Sequence, residues 1–190
     1  MSVSKKYTLF GLLAAIGIVL SGCSVGATSQ SGMMGSNSNY YSSKLYCNVP
    51  TNLPGEIVNV DLSDMGMTRM MGGTAPVGAH MRLIASPSKI SSGVISFVVK
   101  NFGWRTHELV ILPLATNQPS GSRVPGSDGK VSESGSVGEA SNNCGVGVGD
   151  GVKSGSATWT TVTLKPGRYE LVCNLPNHYS DGMYQELDVN

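Results

Sequence analysis

The stretch that decides the fold is RYELVCNLPNHYSDGMYQELDV, residues 168–189. Its two ends are rich in Val, Leu and Tyr in the pattern of β-strands. Between them a thiol, an imidazole and a thioether recur at a Cys-x4-His-x4-Met spacing, as Cys173, His178 and Met183. A loop between two strands brings such side chains to one end of a sheet. The stretch therefore predicts a β-protein with a metal site at one end.

A second imidazole, His107, begins an apolar stretch far upstream. Two imidazoles, a thiolate and a weak axial thioether are the ligands of a blue-copper centre. Cu(I) favours soft ligands and Cu(II) favours nitrogen, and this set serves both states. We therefore predict one type 1 copper per chain, held by His107, Cys173, His178 and Met183. Cys–His nucleophilic catalysis is a poorer interpretation because no third, orienting group is apparent, so we expect an electron carrier and not an enzyme.

Two further residues are predicted to support the copper ligands. The backbone N–H of Glu108 is well placed to donate a hydrogen bond to the Cys173 sulfur and so to tune the thiolate. Asn101, at the end of the preceding strand, is placed to brace the loop that carries His107. Both expectations follow from position along the chain.

The chain after Cys47 predicts strands throughout and no convincing helix. Short runs rich in Val, Ile, Thr and Tyr are bounded by Gly, Pro, Asn and Ser. About seven such strands indicate an all-β fold, a Greek-key β-sandwich. The runs are 57–62, 81–85, 93–100, 107–112, 157–164, 168–173 and 184–189.

A stretch rich in Gly, Ser and Pro, residues 116–156, interrupts this spacing. Loops this long without secondary structure are uncommon inside a compact domain. We expect this insertion to be either a disordered segment or a lid held by Cys144. Apart from it, the sequence contains no internal repeat and no second domain.

Cys47 and Cys144 have no role in the predicted copper site. In an oxidising compartment a remaining pair of cysteines most often forms a disulfide. This bond would close a long loop and stabilise the domain accordingly. Two free thiols or a second metal site are the alternatives.

Residues 1–22 are predicted to be a signal peptide outside the fold. Lys5 and Lys6 precede an apolar run, residues 7–20, which is shorter than the about 20 residues of a membrane span. The run ends in Leu-Ser-Gly-Cys at Cys23, which resembles the bacterial lipobox, so we expect Cys23 to be lipidated. An ordinary signal peptide with an incidental cysteine is the alternative.

Three parts follow along the chain: a lipoprotein signal peptide (1–22), a lipidated flexible tether (23–46) and a single domain (47–190). The Ser, Gly and Asn of the tether favour a flexible chain. We expect an exported protein that is anchored to a membrane by lipid and faces the periplasm or the extracellular side.

Charge limits the kinds of partner. Removal of the signal peptide takes away Lys5 and Lys6 and changes the formal net charge from +1 to −1. No basic patch suggests nucleic acid. Only 13% of the residues are charged, which suits docking without strong electrostatic steering. We expect a monomer whose partners are redox proteins, such as a cytochrome or a terminal oxidase.

Methionines are concentrated in the tether, at Met33 and Met34, and in the segment 65–71. Exposed thioethers can bind Cu(I), so a copper storage or delivery protein is the alternative function. The other interpretation is that these side chains form adaptable packing at the apolar end of the sandwich. His80 reads as an ordinary surface or loop histidine.

We call residues 173–183, which carry Cys173, His178 and Met183, the ligand loop. With Pro176 two residues before His178 and Gly182 before Met183, this loop resembles that of the rusticyanin and sulfocyanin cupredoxins. The stretch 94–112 is similar to the first-histidine region of the same family. The resemblance covers roughly residues 55–114 and 157–190.

This resemblance implies a cupredoxin fold, a type 1 copper site and one-electron transfer. It carries over His107, Cys173, His178 and Met183 as ligands. One position departs from the family pattern, because Asn177 stands where these proteins commonly have Gly. We therefore expect the loop backbone to differ slightly at Asn177.

Overall fold

The computed structural model describes residues 45, 47–64 and 81–190. Within these residues the chain forms nine strands and no helix, so none of it is a helix that could cross a membrane. The strands are β1 Glu56–Asp64, β2 Met81–Ser86, β3 Lys89–Ile90, β4 Gly93–Asn101, β5 Leu109–Leu114, β6 Gly138–Ala140, β7 Ala157–Leu164, β8 Gly167–Val172 and β9 Tyr184–Val189.

The strands form two sheets, with orders β2-β1-β4-β7 and β3-β9-β8-β5-β6. β1 runs parallel to β4, and β3 runs parallel to β9, while the other pairs are antiparallel. The all-β sandwich predicted from the sequence is confirmed. The last two strands, β8 and β9, are neighbours, and the ligand loop joins them at one end of the second sheet.

The core lies between the sheets because alternate residues of each strand point inward. In β1 the inward positions are Val58, Val60 and Leu62, and the series ends at the carboxylate of Asp64. In β4 the corresponding series ends at the amide of Asn101. Cys173 and Met183 belong to the same apolar cluster as these strands. The ligand loop is therefore an extension of the core.

Residues 116–156 contain more structure than the sequence predicts. β6 lies in this insertion and pairs with β5 at the edge of the second sheet. Val146 forms an isolated bridge with Trp159 of β7, and Val152 forms another with His107. The insertion thus contributes to both sheets and is not a single unstructured loop.

Candidate metal centre

His107 lies just before β5, in the isolated bridge with Val152. Its N–H donates to the carbonyl of Val152 (3.1 Å), and its own carbonyl accepts from the N–H of Val152 (2.7 Å). The Asn101 amide holds the preceding loop, because its Nδ2 donates to the carbonyls of Arg105 and Val152 (both 2.7 Å). Its Oδ1 accepts from the N–H of Gly103 (2.8 Å). Asn101 therefore makes the bracing contacts predicted for it. The strand predicted to begin at His107 begins two residues later, at Leu109.

The ligand loop is held by backbone hydrogen bonds between the predicted ligands themselves. The N–H of Cys173 donates to the carbonyl of Met183 (3.0 Å), and the N–H of Met183 donates to the carbonyl of His178 (3.1 Å). Asn177, the position that departs from the family pattern, has φ of 69°. Glycine adopts this left-handed region freely, and asparagine tolerates it better than most residues.

The loop and the bridge bring three predicted ligands together in a buried cluster. Nδ1 of His107 lies 3.2 Å from Nδ1 of His178, and the Cys173 Sγ lies 3.2 Å from the latter and 3.8 Å from the former. All three donor atoms lie within 4.8 Å of one another. Met183 is fully buried in the same apolar cluster as Cys173. The structure therefore places all four predicted ligands at one end of the sandwich.

These distances fit a single small metal ion. Nitrogen and sulfur donors bound to a first-row ion at about 2.0–2.3 Å stand about 3.3–3.6 Å apart at near-tetrahedral angles. The three separations, 3.2, 3.2 and 3.8 Å, lie just outside the two limits of that range. Two imidazoles and one thiol in an apolar shell also match the donor set of a type 1 copper site.

Comparison with known proteins identifies the family. The sulfocyanin (SoxE) domain matches residues 73–190, more than half of the chain, and this range contains all four predicted ligands. This chain belongs to the sulfocyanin family. Its relatives are cupredoxins, which hold one type 1 copper and transfer electrons and are not enzymes. The predicted cofactor and the predicted general role are therefore confirmed at the level of the family.

The solved structures that the chain resembles include rusticyanin and two auracyanins, all at low sequence identity. Reduced rusticyanin is 18% identical over 77% of this chain and 90% of that chain, with a TM-score of 0.43. Auracyanin A, a "blue" copper protein from Chloroflexus aurantiacus, is 14% identical over 70% and 99%, with a TM-score of 0.41. Auracyanin B is 16% identical over 75% and 94%, with a TM-score of 0.45. No curated protein sequence matches the chain, and the assignment to the sulfocyanin family rests on the family model.

The sulfur of Cys173 is buried in this sulfocyanin site and accepts backbone hydrogen bonds. The N–H of Glu108 donates to Sγ over 3.3 Å, which is the contact predicted from the sequence. Burial raises the pKa of the Cys173 thiol to about 12, although N–H groups of Glu108 and Leu175 oppose the shift. These N–H groups stabilise a thiolate without adding a charge to the site.

His178 is the ligand candidate closest to solvent. Its relative exposure is 7%, against 0% for His107, Cys173 and Met183. The pKa of His178 is lowered to about 4, mainly by burial and in part by the neighbouring His107 and Arg105. The imidazole is therefore neutral at pH values well above 4, and a neutral imidazole can coordinate a metal ion.

Asp64 is a site residue that the sequence interpretation missed. It is 1% exposed, and its Oδ1 lies 3.4 Å from Nε2 of His107. The same oxygen accepts the backbone N–H groups of Trp104 and Arg105. Burial alone would raise the pKa of Asp64, but the hydrogen bonds from His107 and these N–H groups hold it below its usual value.

A second feature missed from the sequence is a contact between the insertion and the ligand loop. We call residues 119–133 the clasp. Asn174, next to Cys173, accepts from the N–H of Val131 (2.8 Å) and donates to the carbonyl of Val131 (2.9 Å) and to Glu133 Oε1 (2.6 Å). The carbonyl of Gly129 accepts from the N–H of Asn177 (2.9 Å). The clasp therefore holds the loop on both sides of Leu175.

The clasp also contains a buried ion pair behind the loop. Glu170 of β8 is 0% exposed, and its Oε2 pairs with the guanidinium of Arg123. Its Oε1 accepts from the hydroxyl of Ser120 (3.0 Å), the N–H of Gly121 (2.6 Å) and the hydroxyl of Tyr179 (3.2 Å). Tyr179, which follows His178, is therefore linked to the insertion by hydrogen bonds of its hydroxyl group to Glu170 and to the N–H of Arg123.

Cys47 and Cys144 form a disulfide in the structure, at a sequence separation of 97. The bond joins the first described residues of the domain to the insertion. Among the described residues Cys173 is the free cysteine. Cys47 and Cys144 therefore form the structural bond, and the thiol of Cys173 remains in the donor cluster.

Several predicted features lie outside the described residues. These are the signal peptide, the lipid attachment at Cys23, the tether residues apart from Leu45, the two methionine clusters (Met33 and Met34; 65–71) and His80.

Proposed function

We propose that this protein is a monomeric one-electron carrier at a membrane surface, with His107, Cys173, His178 and Met183 as the ligands of its single type 1 copper. The observation that carries the proposal is the convergence of the two Nδ1 atoms and Sγ at 3.2–3.8 Å in a buried cluster. Copper bound there supplies the one-electron couple. The protein supplies a ligand set that need not move when the electron arrives.

The rigidity of the ligands supports this role. His107 is held by the Val152 bridge and by the loop that Asn101 braces. The loop ligands are held by backbone hydrogen bonds to one another, and their neighbour Asn174 is hydrogen-bonded to the clasp. Burial excludes water from the donor atoms and lowers the polarity around them. A fixed, dry environment reduces the reorganisation that accompanies a change of charge.

We propose that redox partners approach the surface around His178. Among the four ligand candidates His178 alone has any solvent exposure, at 7%. The partners are expected to be proteins such as a cytochrome or a terminal oxidase. A flexible tether would let the domain move between two partners in the same membrane.

The proposed location rests on the sequence of the first 46 residues. A signal peptide (1–22) that ends at Cys23 favours a lipid anchor, with the tether and the domain on the periplasmic or extracellular side. Fractionation of cells tests this proposal. The chain should be found with membranes, and Cys23→Ala should release it to the soluble fraction or block its maturation. An unchanged distribution of Cys23→Ala would contradict a lipid anchor.

Voltammetry of the purified protein, loaded with one equivalent of copper, tests the carrier function. We expect one reversible one-electron wave and one tightly held copper per chain. A copper storage or delivery protein, which the family assignment does not favour, would instead bind several Cu(I) ions and release them to a chelator. Absence of a reversible wave would contradict the proposal.

A further inference from the structure

Asp64 is a charged residue at an inward position of β1, where the other inward residues are apolar. It occupies the inward position that follows Val58, Val60 and Leu62 in β1, and it is as buried as they are. A buried carboxylate is costly unless it is paired or hydrogen-bonded. Its Oδ2 has no hydrogen-bond partner among the described residues. Among the residues that the structure describes, the compensation for its burial therefore comes through Oδ1.

Oδ1 faces the loop that leads to His107. It accepts the backbone N–H groups of Trp104 and Arg105, and it lies 3.4 Å from Nε2 of His107. Gly103 allows this approach, because a Cβ at that position would meet Oδ1 at 1.8 Å. The loop before His107 therefore wraps around the Asp64 carboxylate and places the ring of His107 next to it.

The direction of the contact fixes the tautomer of the ring. An ionised carboxylate only accepts hydrogen bonds, so Nε2 must be the donor. A neutral imidazole with a proton on Nε2 carries its lone pair on Nδ1. Nδ1 of His107 is the atom that faces His178 and Cys173. The Asp64 carboxylate therefore contacts one nitrogen of the His107 ring, and the donor atoms of His178 and Cys173 face the other nitrogen.

We propose that Asp64 is a positioning residue of the copper site, which holds His107 in the Nε2–H tautomer with Nδ1 turned to the metal and favours Cu(II) over Cu(I). This inference rests on the proposed function for the identity of the metal. A carboxylate behind a ligating imidazole orients the ring and makes it a stronger donor. A negative charge one ring away from the ion stabilises the more highly charged state.

The first test needs neither copper nor a variant. Nitrogen-15 NMR of the metal-free protein reports which nitrogen of each histidine carries the proton. We expect His107 to carry it on Nε2, with slow exchange because the ring is 0% exposed. A proton on Nδ1, or an even mixture of tautomers, would overturn the inference whether or not the protein binds copper.

The second test compares two neutral isosteres in one strand. Asp64→Asn keeps an oxygen that can accept from Nε2 but removes the charge. Asp61→Asn removes the same charge from an exposed side chain of β1 and serves as the control. Loss of such a supporting group typically changes metal affinity by about tenfold or more. For Asp64→Asn we expect the ratio of Cu(II) to Cu(I) affinity to fall about tenfold, which raises a one-electron potential by about 59 mV.

The outcomes separate this inference from the proposed function. If the unaltered protein takes up copper without forming a blue site, the proposed function fails, and the NMR test still decides the contact. If the blue site forms and the potential of Asp64→Asn moves no further than that of Asp61→Asn, only the role of Asp64 fails. If Asp64→Asn does not fold, the tautomer in the unaltered protein remains the deciding result.

Discussion

Burial acts on Cys173 and His178 with different consequences for metal binding. The pKa of Cys173, about 12, keeps its thiol protonated in the metal-free protein, whereas the pKa of His178, about 4, keeps its imidazole neutral. A neutral imidazole binds a metal ion directly, but a thiol must first lose its proton. Copper loading at neutral pH therefore displaces the Cys173 proton. The N–H of Glu108 then stabilises the thiolate.

The thioether of Met183 can be tested by a substitution that keeps its volume. Met183→Leu should raise the reduction potential, because it removes a weak donor to Cu(II) and leaves an apolar neighbour. The free energy of unfolding should fall by less than about 1.5 kcal/mol, since the side chains are similar in size. Voltammetry and urea unfolding measure the two quantities.

Met81→Leu is the matched control, because Met81 is also buried (3% exposed) in the same apolar cluster. It should leave the potential unchanged. Equal potentials in the two variants would show that the Met183 thioether is not a ligand.

At the scale of the structural elements, the clasp holds the ligand loop through hydrogen bonds to Asn174. Asn174→Ala would leave the N–H and the carbonyl of Val131 without their partner in a buried position. We expect the free energy of unfolding to fall by about 1–3 kcal/mol. Asn142→Ala, in the same insertion, removes one hydrogen bond of 3.2 Å and should have a smaller effect. Equal losses in urea unfolding would contradict a special role for the clasp.

The buried ion pair of the clasp makes a sharper prediction. Arg123→Ala leaves the carboxylate of Glu170 buried without its counter-ion, and such a change typically costs about 3–5 kcal/mol. Lys89→Ala breaks an exposed pair with Asp188 at 3.7 Å and should cost at most about 1 kcal/mol. Thermal unfolding of both variants measures the difference, and an Arg123→Ala protein as stable as Lys89→Ala would refute it.

The longer strands could be predicted because their alternation or Val-rich composition extends over six residues or more. β3 and β6 could not, since two and three residues are too few to show a pattern. β5 begins at Leu109 and not at His107, because His107 pairs across to Val152. That partner lies in the insertion, whose composition suggested a loop.

The ligands could be predicted because three of them lie on one loop at a recognisable spacing. Asp64 could not, because it contacts His107 across 43 positions of sequence. The one signal in the sequence is a carboxylate at the inward position after Val58, Val60 and Leu62. Asn174 reaches Val131 across a similar separation of 43, and nothing in the pattern of the insertion indicates that contact.

At the scale of the whole molecule, the disulfide is the longest-range covalent constraint described. It joins Cys47 to Cys144 across 97 positions, and closing a loop of that length stabilises a fold by about 4–5 kcal/mol in the chain-entropy model. The double variant Cys47→Ser/Cys144→Ser should lose roughly this amount in urea unfolding. It should keep its copper spectrum, because neither cysteine belongs to the donor cluster. Loss of the spectrum in the folded variant would contradict the separation of the two roles.

The central claim is that His107, Cys173, His178 and Met183 converge on one copper ion. The most direct test is the visible absorption and EPR spectrum of the purified protein after addition of one equivalent of Cu(II), measured beside Cys173→Ser. We expect an intense blue or green thiolate-to-copper band and a narrow copper hyperfine splitting, and both should be lost in Cys173→Ser. A colourless product, or a band that survives in Cys173→Ser, would contradict the claim.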